Sequence, residues 1–192
     1  MTKLILFDFF GVLCAETYWG WLRKVVPNLE EKRELFHGLS EIADRGDMSL
    51  AEIFQWIGEK TGFTPEEVSQ GMKDQILINK ELLELITILK VEYKIGLLSN
   101  ASYEWLEHIL SGQNLYPYFD EVIISSRIGL IKPEPKIFEY ALNKFNVLPN
   151  EALFIDDRLV NVEAAQKGGL RAVVFENVDS LKVHLKELGL IY

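Results

Sequence analysis

"LILFDFFGVLC", residues 4–14, places the carboxylate of Asp8 directly after a run of large apolar residues. A continuous apolar run is typical of a strand that is covered on both faces in a parallel sheet. Burying a carboxylate without partners costs several kcal/mol or shifts its pKa until the group is neutral. We therefore expect the fold to bring other charged groups to Asp8.

Four more apolar runs have the same character as this first one, which covers 3–8. They lie at 93–99, 121–126, 152–156 and 171–176. Helical patterns separate the later runs: an apolar stripe covers 135–146, with proline at its first turn, and another helix is predicted over 158–167. This alternation predicts an α/β fold with three layers and a parallel central sheet.

The connection between the first two predicted strands is too long for a simple crossover. Within it, "SLAE" (49–52) and "TPEE" (64–67) are signals for the N-termini of two helices. Further helical patterns cover 16–26, 29–44 and 80–90, and the last of these returns the chain to the sheet. We interpret residues 15–80 as an all-helical insertion and assign 1–14 together with 81–192 to the core.

Composition limits the classes of partner. The chain has 192 residues, 48% of them hydrophobic, and a net charge of −9, which repels nucleic acid and anionic membrane surfaces. We therefore expect neither nucleic acid nor a membrane as a partner, and a phosphate ligand would need a local cation. The single cysteine, Cys14, cannot form an internal disulfide, which favours a cytoplasmic protein. No segment reaches the roughly 20 apolar residues of a transmembrane helix.

Polar residues end four of the five predicted strands. Taken alone, each fits a turn or a helix cap, and Lys132 in "IKPEPKIF" fits an ordinary surface lysine. Ligands of open α/β sheets, however, bind beyond the carboxyl ends of the strands, so one shared site explains the whole set. The strand-end residues are Asp8, Ser99 with Asn100, Ser125 with Ser126, and Asp156 with Asp157.

Three carboxylates that meet at one point repel each other, and a hard divalent cation relieves that repulsion. A few carboxylates plus water molecules are the usual ligands of Mg²⁺. With one oxygen on the metal, Asp8 can attack a phosphorus atom and form an aspartyl-phosphate. The hydroxyl of Ser99 and the backbone N–H of Asn100 are predicted donors to the phosphoryl oxygens, and Lys132 is the predicted local cation.

These segments resemble the motifs of the haloacid dehalogenase superfamily, whose members are mostly Mg²⁺-dependent phosphatases. Asp8 with "GVL", "LLSNAS" (97–102), "KPEPKIF" (132–138) and "IDDRLVNVEAA" (155–165) stand in the order of the family's four motifs, and 43–62 is similar to the cap of one phosphatase branch. The resemblance implies a Rossmann-like core and a mobile cap. It also implies hydrolysis of a small phosphorylated metabolite through an aspartyl-phosphate.

The resemblance further assigns roles to individual residues. It implies that Asp8 is both nucleophile and metal ligand, and that the backbone carbonyl of Phe10 is a second ligand. Of the acidic pair, we expect Asp157 to bind the metal directly and Asp156 to bind it through water. We expect Asn161 to hold the metal-binding loop in place.

Phe10 is the departure from the family pattern, because most of these phosphatases have an acid/base aspartate at this position. Phenylalanine cannot transfer a proton, and general acid–base catalysis contributes about 10²–10⁴-fold to a rate. Three explanations stay open: another residue substitutes, the substrate has a good leaving group such as an acyl phosphate or a sugar-1-phosphate, or turnover is slow.

Other functions also stay open at this point. A catalytically weakened binding or regulatory protein would keep the same pocket. A 2-haloacid dehalogenase has tyrosine at the position of Phe10 and would leave the acidic pair unused, and a receiver domain would lack the helical insertion. Glu16 and Trp19 fall off the apolar stripe of their helix and are candidates for lining the cleft. The sequence leaves the physiological substrate and the oligomeric state undetermined.

Overall fold

A single parallel sheet of five strands forms the centre of the protein, in a computed structural model that describes residues 1–191. The strands lie in the order β3-β2-β1-β4-β5, and every neighbouring pair is parallel. This confirms the predicted α/β fold. The strands are β1 (Leu4–Phe7), β2 (Lys94–Ser99), β3 (Glu121–Ile124), β4 (Ala152–Asp156) and β5 (Arg171–Val174).

Four helices and no strand of the sheet occupy the long connection after β1, and α5 then leads into β2. The two predicted N-terminal signals are capping boxes, Ser49 with Glu52 and Thr64 with Glu67. Leu29–Lys32 forms a 3₁₀ turn, so the helix predicted over 29–44 begins four residues later than expected. The helices are α1 (Thr17–Val25), α2 (Arg33–Arg45), α3 (Leu50–Thr61), α4 (Pro65–Lys73) and α5 (Lys80–Leu89).

The remaining helices connect the other strands and follow the last one. The third predicted strand, 121–126, ends two residues early because the chain turns into a short helix at Ser125. That helix is closed by Gly129, whose φ is 66° and whose N–H donates to the Ser125 carbonyl. These helices are α6 (Tyr103–Gly112), α7 (Ser125–Ile128), α8 (Pro135–Phe145), α9 (Leu159–Lys167) and α10 (Val178–Glu187).

Both faces of the sheet are covered, as the apolar runs predict. In β1, Ile5 and Phe7 pack into the apolar cluster that contains the insertion helices, whereas Leu4 and Leu6 pack into the cluster beneath α8 and α9. All four side chains are fully buried. Because burying a side chain of this size is worth about 1.5–3 kcal/mol, β1 is held rigidly and fixes the position of the residue that follows it. No helix within residues 1–191 has both the length and the apolar character that crossing a bilayer requires.

The two ends of the 15–80 segment lie side by side. The N–H of Ala15 donates to the Leu77 carbonyl at 3.0 Å, and the N–H of Asn79 donates to the Leu13 carbonyl at 2.9 Å. Farther out, the indole N–H of Trp105 on α6 donates to the Thr17 hydroxyl at 3.0 Å. These bonds hold the helices of the segment over the carboxyl edge of the sheet.

Candidate functional site

Lys132 is the charged partner that the burial of Asp8 predicts. Its ammonium nitrogen lies 2.7 Å from Oδ1 of Asp8 and 2.7 Å from Oδ2 of Asp156. Asp8 follows the central strand, and Asp156 ends the neighbouring β4. All three residues are buried, with 2% of Lys132, 6% of Asp8 and none of Asp156 exposed. Charge-assisted hydrogen bonds of this kind stabilise ions that would otherwise be costly to bury.

The pKa shifts of Lys132, Asp156 and Asp8 show which of these groups is stabilised in its charged form. Burial acts to lower the pKa of Lys132, but Asp8 and Asp156 together raise it. Burial acts to raise the pKa of Asp156, but Lys132 and hydrogen bonds from Arg158 and Asn161 hold it below its usual value. The pKa of Asp8 is raised well above its usual value by burial, which Lys132 only partly offsets. Asp8 therefore carries the less compensated carboxylate of the two.

Asp157 completes a cluster of three carboxylates. Oxygens of Asp8, Asp156 and Asp157 lie within 4.8 Å of one another. Oδ1 of Asp157 is buried and has no hydrogen-bond partner within residues 1–191. Both oxygens of Asp156, in contrast, accept hydrogen bonds, from Lys132 and from Asn161 at 3.0 and 3.1 Å. Of the acidic pair, Asp157 therefore has the unused capacity to bind a cation.

Gly11 lets the first motif approach Asp157 closely. Its φ is +82°, and a Cβ at this position would lie 2.3 Å from Oδ2 of Asp157. Only glycine combines this backbone conformation with this contact. Phe10, beside it in the same turn, is partly buried and faces the same cavity as Asp8. Among the described residues, the site has three carboxylates but only one ammonium group in contact with them, and one carboxylate oxygen has no hydrogen-bond partner. Together with the close approach of the Gly11 backbone, these features fit a hard divalent cation.

Ser99 and Asn100 lie where β2 ends, next to β1. The hydroxyl of Ser99 is buried and has no hydrogen-bond partner within residues 1–191. The side chain of Asn100 makes two hydrogen bonds to the backbone of Lys132. Nδ2 of Asn100 donates to the Lys132 carbonyl at 2.9 Å, and Oδ1 of Asn100 accepts from the Lys132 N–H at 2.8 Å. Asn100 thus positions Lys132, a contact that the sequence did not predict.

Ser125 has a structural role that the sequence analysis missed. Its hydroxyl accepts from the N–H of Ala101 at 3.0 Å and donates to the backbone carbonyl of Asp44 at 2.6 Å. Asp44 belongs to α2, 81 residues earlier in the chain. A serine at a strand end gives no indication of such a distant partner. The structure therefore joins the second motif to the insertion through one side chain.

A cavity of about 380 Å³ lies between the insertion and the carboxyl edge of the sheet. This volume is typical of a site for a small ligand. Asp8, Lys132 and Asp157 line it from the sheet. Glu16, Trp19 and Asp44 are among the residues that line it from the insertion. The sequence named Glu16 and Trp19 as candidates for lining this cleft, whereas it gave no sign of Asp44.

The two carboxylates from the insertion titrate unusually. Burial, reinforced by Asp157, raises the pKa of Glu16 to about 7. Burial also raises the pKa of Asp44 to about 7, although Lys132 opposes the shift. Cys14 lies nearby, but burial raises the pKa of its thiol to about 12, so it is unreactive at neutral pH. Near neutral pH, the cavity therefore contains two groups that can both donate and accept protons.

Comparison with known proteins gives consistent matches. A family model for haloacid dehalogenase-like hydrolases matches residues 2–169. The D-ribitol-5-phosphate phosphatase of Bacteroides thetaiotaomicron is 27% identical over 92% of this chain and 93% of its own length. The glyceraldehyde 3-phosphate phosphatase of Pyrococcus abyssi is 38% identical over 48% of this chain and 39% of its own length.

A solved structure matches nearly the whole fold. It is a HAD family enzyme of Bacteroides thetaiotaomicron, crystallised in complex with magnesium and inorganic phosphate. The two structures superpose with a TM-score of 0.77 at 25% identity, over 94% of this chain and 99% of the other. The similarity therefore includes the helical segment as well as the sheet.

Proposed function

The chain belongs to the haloacid dehalogenase-like hydrolases, and we propose that it is a Mg²⁺-dependent phosphatase that forms an aspartyl-phosphate on Asp8. The observation that carries the proposal is the position of Asp8: a strand-end carboxylate in contact with Lys132, beside two more carboxylates and at the edge of a cavity. The phosphatase names of two relatives support the reaction class, and both names describe small phosphorylated substrates.

The residues of the sheet edge would hold the metal. In this proposal Asp8, the backbone carbonyl of Phe10 and Asp157 would bind Mg²⁺ directly, and Asp156 would bind it through water. The unpaired oxygen of Asp157 supports its direct role, and the hydrogen bonds already made by Asp156 support its indirect one. A bound Mg²⁺ would offset the repulsion between the carboxylates and the phosphate of the substrate.

Asp8 performs the chemistry in two steps. An oxygen of Asp8 attacks phosphorus, the bond between phosphorus and the ester oxygen breaks, and the ester oxygen leaves with the electron pair. Water then attacks phosphorus, and the bond to Asp8 breaks. Lys132 balances negative charge, while the hydroxyl of Ser99 and the backbone N–H of Asn100 donate to phosphoryl oxygens.

The helical segment has the role of a cap in this proposal. Residues 15–80 cover the site, and 1–14 with 81–192 form the catalytic core. The cavity that both parts line supports this division, as do the bonds that hold the segment against the sheet edge. Such a cap excludes water from the reaction and contributes side chains that select the substrate.

The test is release of inorganic phosphate from a panel of sugar, polyol and acyl phosphates, with Mg²⁺ or with a chelator. We expect Mg²⁺-dependent release by the unchanged protein and none by Asp8→Asn. Asp47→Asn, which changes an exposed carboxylate, is the matched control and should retain full activity. Mass spectrometry of quenched reactions should find the phosphoryl group on the peptide that contains Asp8.

Two results would contradict the proposal. Activity that survives in Asp8→Asn would exclude Asp8 as the nucleophile. If the unchanged protein binds phosphate esters but hydrolyses none of them, a binding or regulatory protein becomes the better description.

A further inference from the structure

Phe10 leaves the proposed reaction without a proton donor at the position where relatives of this kind usually have one. An ester oxygen that leaves as an alkoxide needs a proton, and the water of the second step must lose one. Resting on the proposed function, we propose that Asp44, at the end of α2, is the general acid and base of this phosphatase. It would thus reach the reacting atoms from the insertion rather than from the first motif.

Three consecutive residues fix this end of α2 against the core. The carbonyl of Asp44 accepts the hydroxyl of Ser125 at 2.6 Å, and Arg45 forms an ion pair with Glu134, close in sequence to Lys132. A Cβ on Gly46 would lie 2.4 Å from the carbonyl oxygen of Ser126, so the two backbones approach as closely as glycine allows. A proton donor must be held in place, and this segment is held at every residue.

The carboxyl group of Asp44 is costly where it lies. It is partly buried in the wall of the cavity, and its side chain has no hydrogen-bond or ion-pair partner within residues 1–191. It also belongs to the last turn of α2, where the helix dipole disfavours negative charge. An unpaired acid that violates two local rules at the edge of a reactive site is typical of a residue retained for function.

Charged groups from four elements face Asp44. They are Lys132 before α8, Glu16 before α1, Arg158 after β4, and Glu41 on α2 itself. Burial has the largest effect on the pKa of Asp44, and together these influences raise it to about 7. At neutral pH the group is therefore present in both forms, as a residue that first donates and then accepts a proton must be.

Glu16 is the other carboxylate of the cavity, and its surroundings fit the role less well. Its strongest charged neighbour is Asp157, and Lys132 is the weakest of those that act on it. For Asp44, Lys132 is the strongest charged neighbour. The cation that acts most strongly on Asp44 is therefore the one that lies 2.7 Å from Asp8, and all three residues line the same cavity.

The proton balance closes over one turnover. Asp44 begins protonated and gives its proton to the ester oxygen as the bond between phosphorus and that oxygen breaks. The resulting carboxylate takes a proton from water as the water oxygen bonds to phosphorus and the bond to Asp8 breaks. The products are the alcohol and inorganic phosphate, and Asp44 is protonated again.

The test compares two substrates that share only the phosphate group. Ethyl phosphate has a poor leaving group, and p-nitrophenyl phosphate has a good one. Asp44→Asn should lower kcat/KM for ethyl phosphate by about 10²–10⁴-fold, because an alkoxide needs the acid. For p-nitrophenyl phosphate, whose leaving group is stable as an anion, the loss should be less than about tenfold. Asp47→Asn should change neither value, and Glu16→Gln should change both by the same factor.

Rescue separates proton transfer from a structural role. In the Asp44→Asn background, Phe10→Asp should restore most of the ethyl phosphate activity by supplying an acid from the first motif. The pH profile of kcat/KM should lose its upper limb near pH 7 in Asp44→Asn and regain one in the double variant. Circular dichroism checks that both variants fold.

An equal loss on both substrates, or no loss on ethyl phosphate, would overturn the role of Asp44 while the activity of the unchanged protein still supports the proposed function. Failure of the unchanged protein to hydrolyse even p-nitrophenyl phosphate would refute the proposed function, and with it the role of Asp44.

Discussion

The acidic residues at the sheet edge and those of the helical insertion differ in whether they have a charged partner. At the sheet edge, Asp8 and Asp156 share the ammonium of Lys132, and Asp156 accepts further hydrogen bonds. In the insertion, Glu16 and Asp44 face the same cavity without a hydrogen-bond or ion-pair partner within residues 1–191. Both pairs lie in surroundings that raise the cost of a negative charge, but in the described part of the chain only the first has a cation of the protein in contact with it.

The difference separates two uses of a buried carboxylate. A paired group is favoured in its ionised form by its cation, fully for Asp156 and only in part for Asp8, and a negative charge held in this way suits a nucleophile or a metal ligand. An unpaired group has a raised pKa and exchanges protons near neutral pH, which suits an acid or a base. The unequal pairing of these two sets of carboxylates thus distinguishes their roles before any substrate is known.

Removing the shared ammonium should have the largest effect on stability. Lys132→Met leaves Asp8 and Asp156 buried without their cation, and breaking such a buried pair costs about 3–5 kcal/mol. The folded-state pKa of Asp156 should then rise above its unfolded value, and that of Asp8, which burial already raises, should rise further. The loss should therefore be greatest at pH 7 and shrink as the pH falls through the raised folded-state pKa values toward about 4, where the unfolded state begins to bind the same protons.

Urea unfolding at pH 7 and at pH 4.5 measures that loss. Lys144→Met is the matched control, because Lys144 pairs with Glu121 across 3.4 Å while 46% and 42% of the two side chains are exposed. An exposed pair of this kind contributes about 0–1 kcal/mol. Similar losses in the two variants, or a loss that does not depend on pH, would show that the sheet edge does not depend on its buried cation.

The sheet-edge site could be predicted from sequence because its residues are fixed by strand ends. Asp8, Ser99 and Asp156 each follow or end a short apolar run, and parallel strands place their carboxyl ends together whatever the details of packing. The strand limits were correct to within one or two residues in most cases, because apolar periodicity and turn residues are local signals. Ser125 shows the limit of that reasoning, since the third apolar run gives no sign that a helix begins there.

The insertion was less predictable, because its functional features depend on contacts between distant segments. Asp44 stands at the end of an amphipathic helix, where an acidic residue normally faces solvent. The hydrogen bond from Ser125 to the Asp44 carbonyl, and the contacts of Arg45 and Gly46 with Glu134 and Ser126, hold Asp44 against the core. The two hydrogen bonds between the Asn100 side chain and the Lys132 backbone could not be predicted for the same reason, since these residues are 32 positions apart in the chain.

A substitution in the first motif should have an intermediate effect and should link the fold to the metal. Gly11→Ala places a methyl group against Asp157 at a φ of +82°, whereas Gly62→Ala meets nothing within 4 Å at a φ of +83°. Both variants therefore carry the same backbone strain, about 1–2 kcal/mol. Only Gly11→Ala adds overpacking, about 1–3 kcal/mol more, and displaces a carboxylate of the acidic cluster.

Urea unfolding and calorimetric titration with Mg²⁺ separate the two effects. We expect Gly62→Ala to bind Mg²⁺ as the unchanged protein does, and Gly11→Ala to bind it at least tenfold more weakly, by analogy with the loss of a group that orients a metal ligand. Equal Mg²⁺ affinity in both variants would mean that Asp157 is not held by this contact or does not bind the cation.

The smallest expected effect is the change in unfolding free energy that the raised pKa of Asp44 causes near neutral pH. The folded-state pKa of Asp44 is raised to about 7, from an ordinary value near 3.9, a difference worth at most about 4 kcal/mol. Because the folded state binds this proton more tightly, the stabilising contribution is complete below about pH 4 and is lost as the pH rises through 7. Asp44→Asn removes this dependence but buries an unpaired amide, at a cost of about 1–3 kcal/mol.

The two curves of unfolding free energy against pH should therefore cross. Asp44→Asn should be less stable than the unchanged protein at pH 4 and more stable by about 1 kcal/mol at pH 8, whereas Asp47→Asn should follow the unchanged protein throughout. Urea unfolding at half-unit intervals would locate the crossing. Parallel curves would mean that Asp44 titrates alike in the folded and unfolded states, and the contrast between the cation-paired carboxylates of the sheet edge and an unpaired acid in the insertion would disappear.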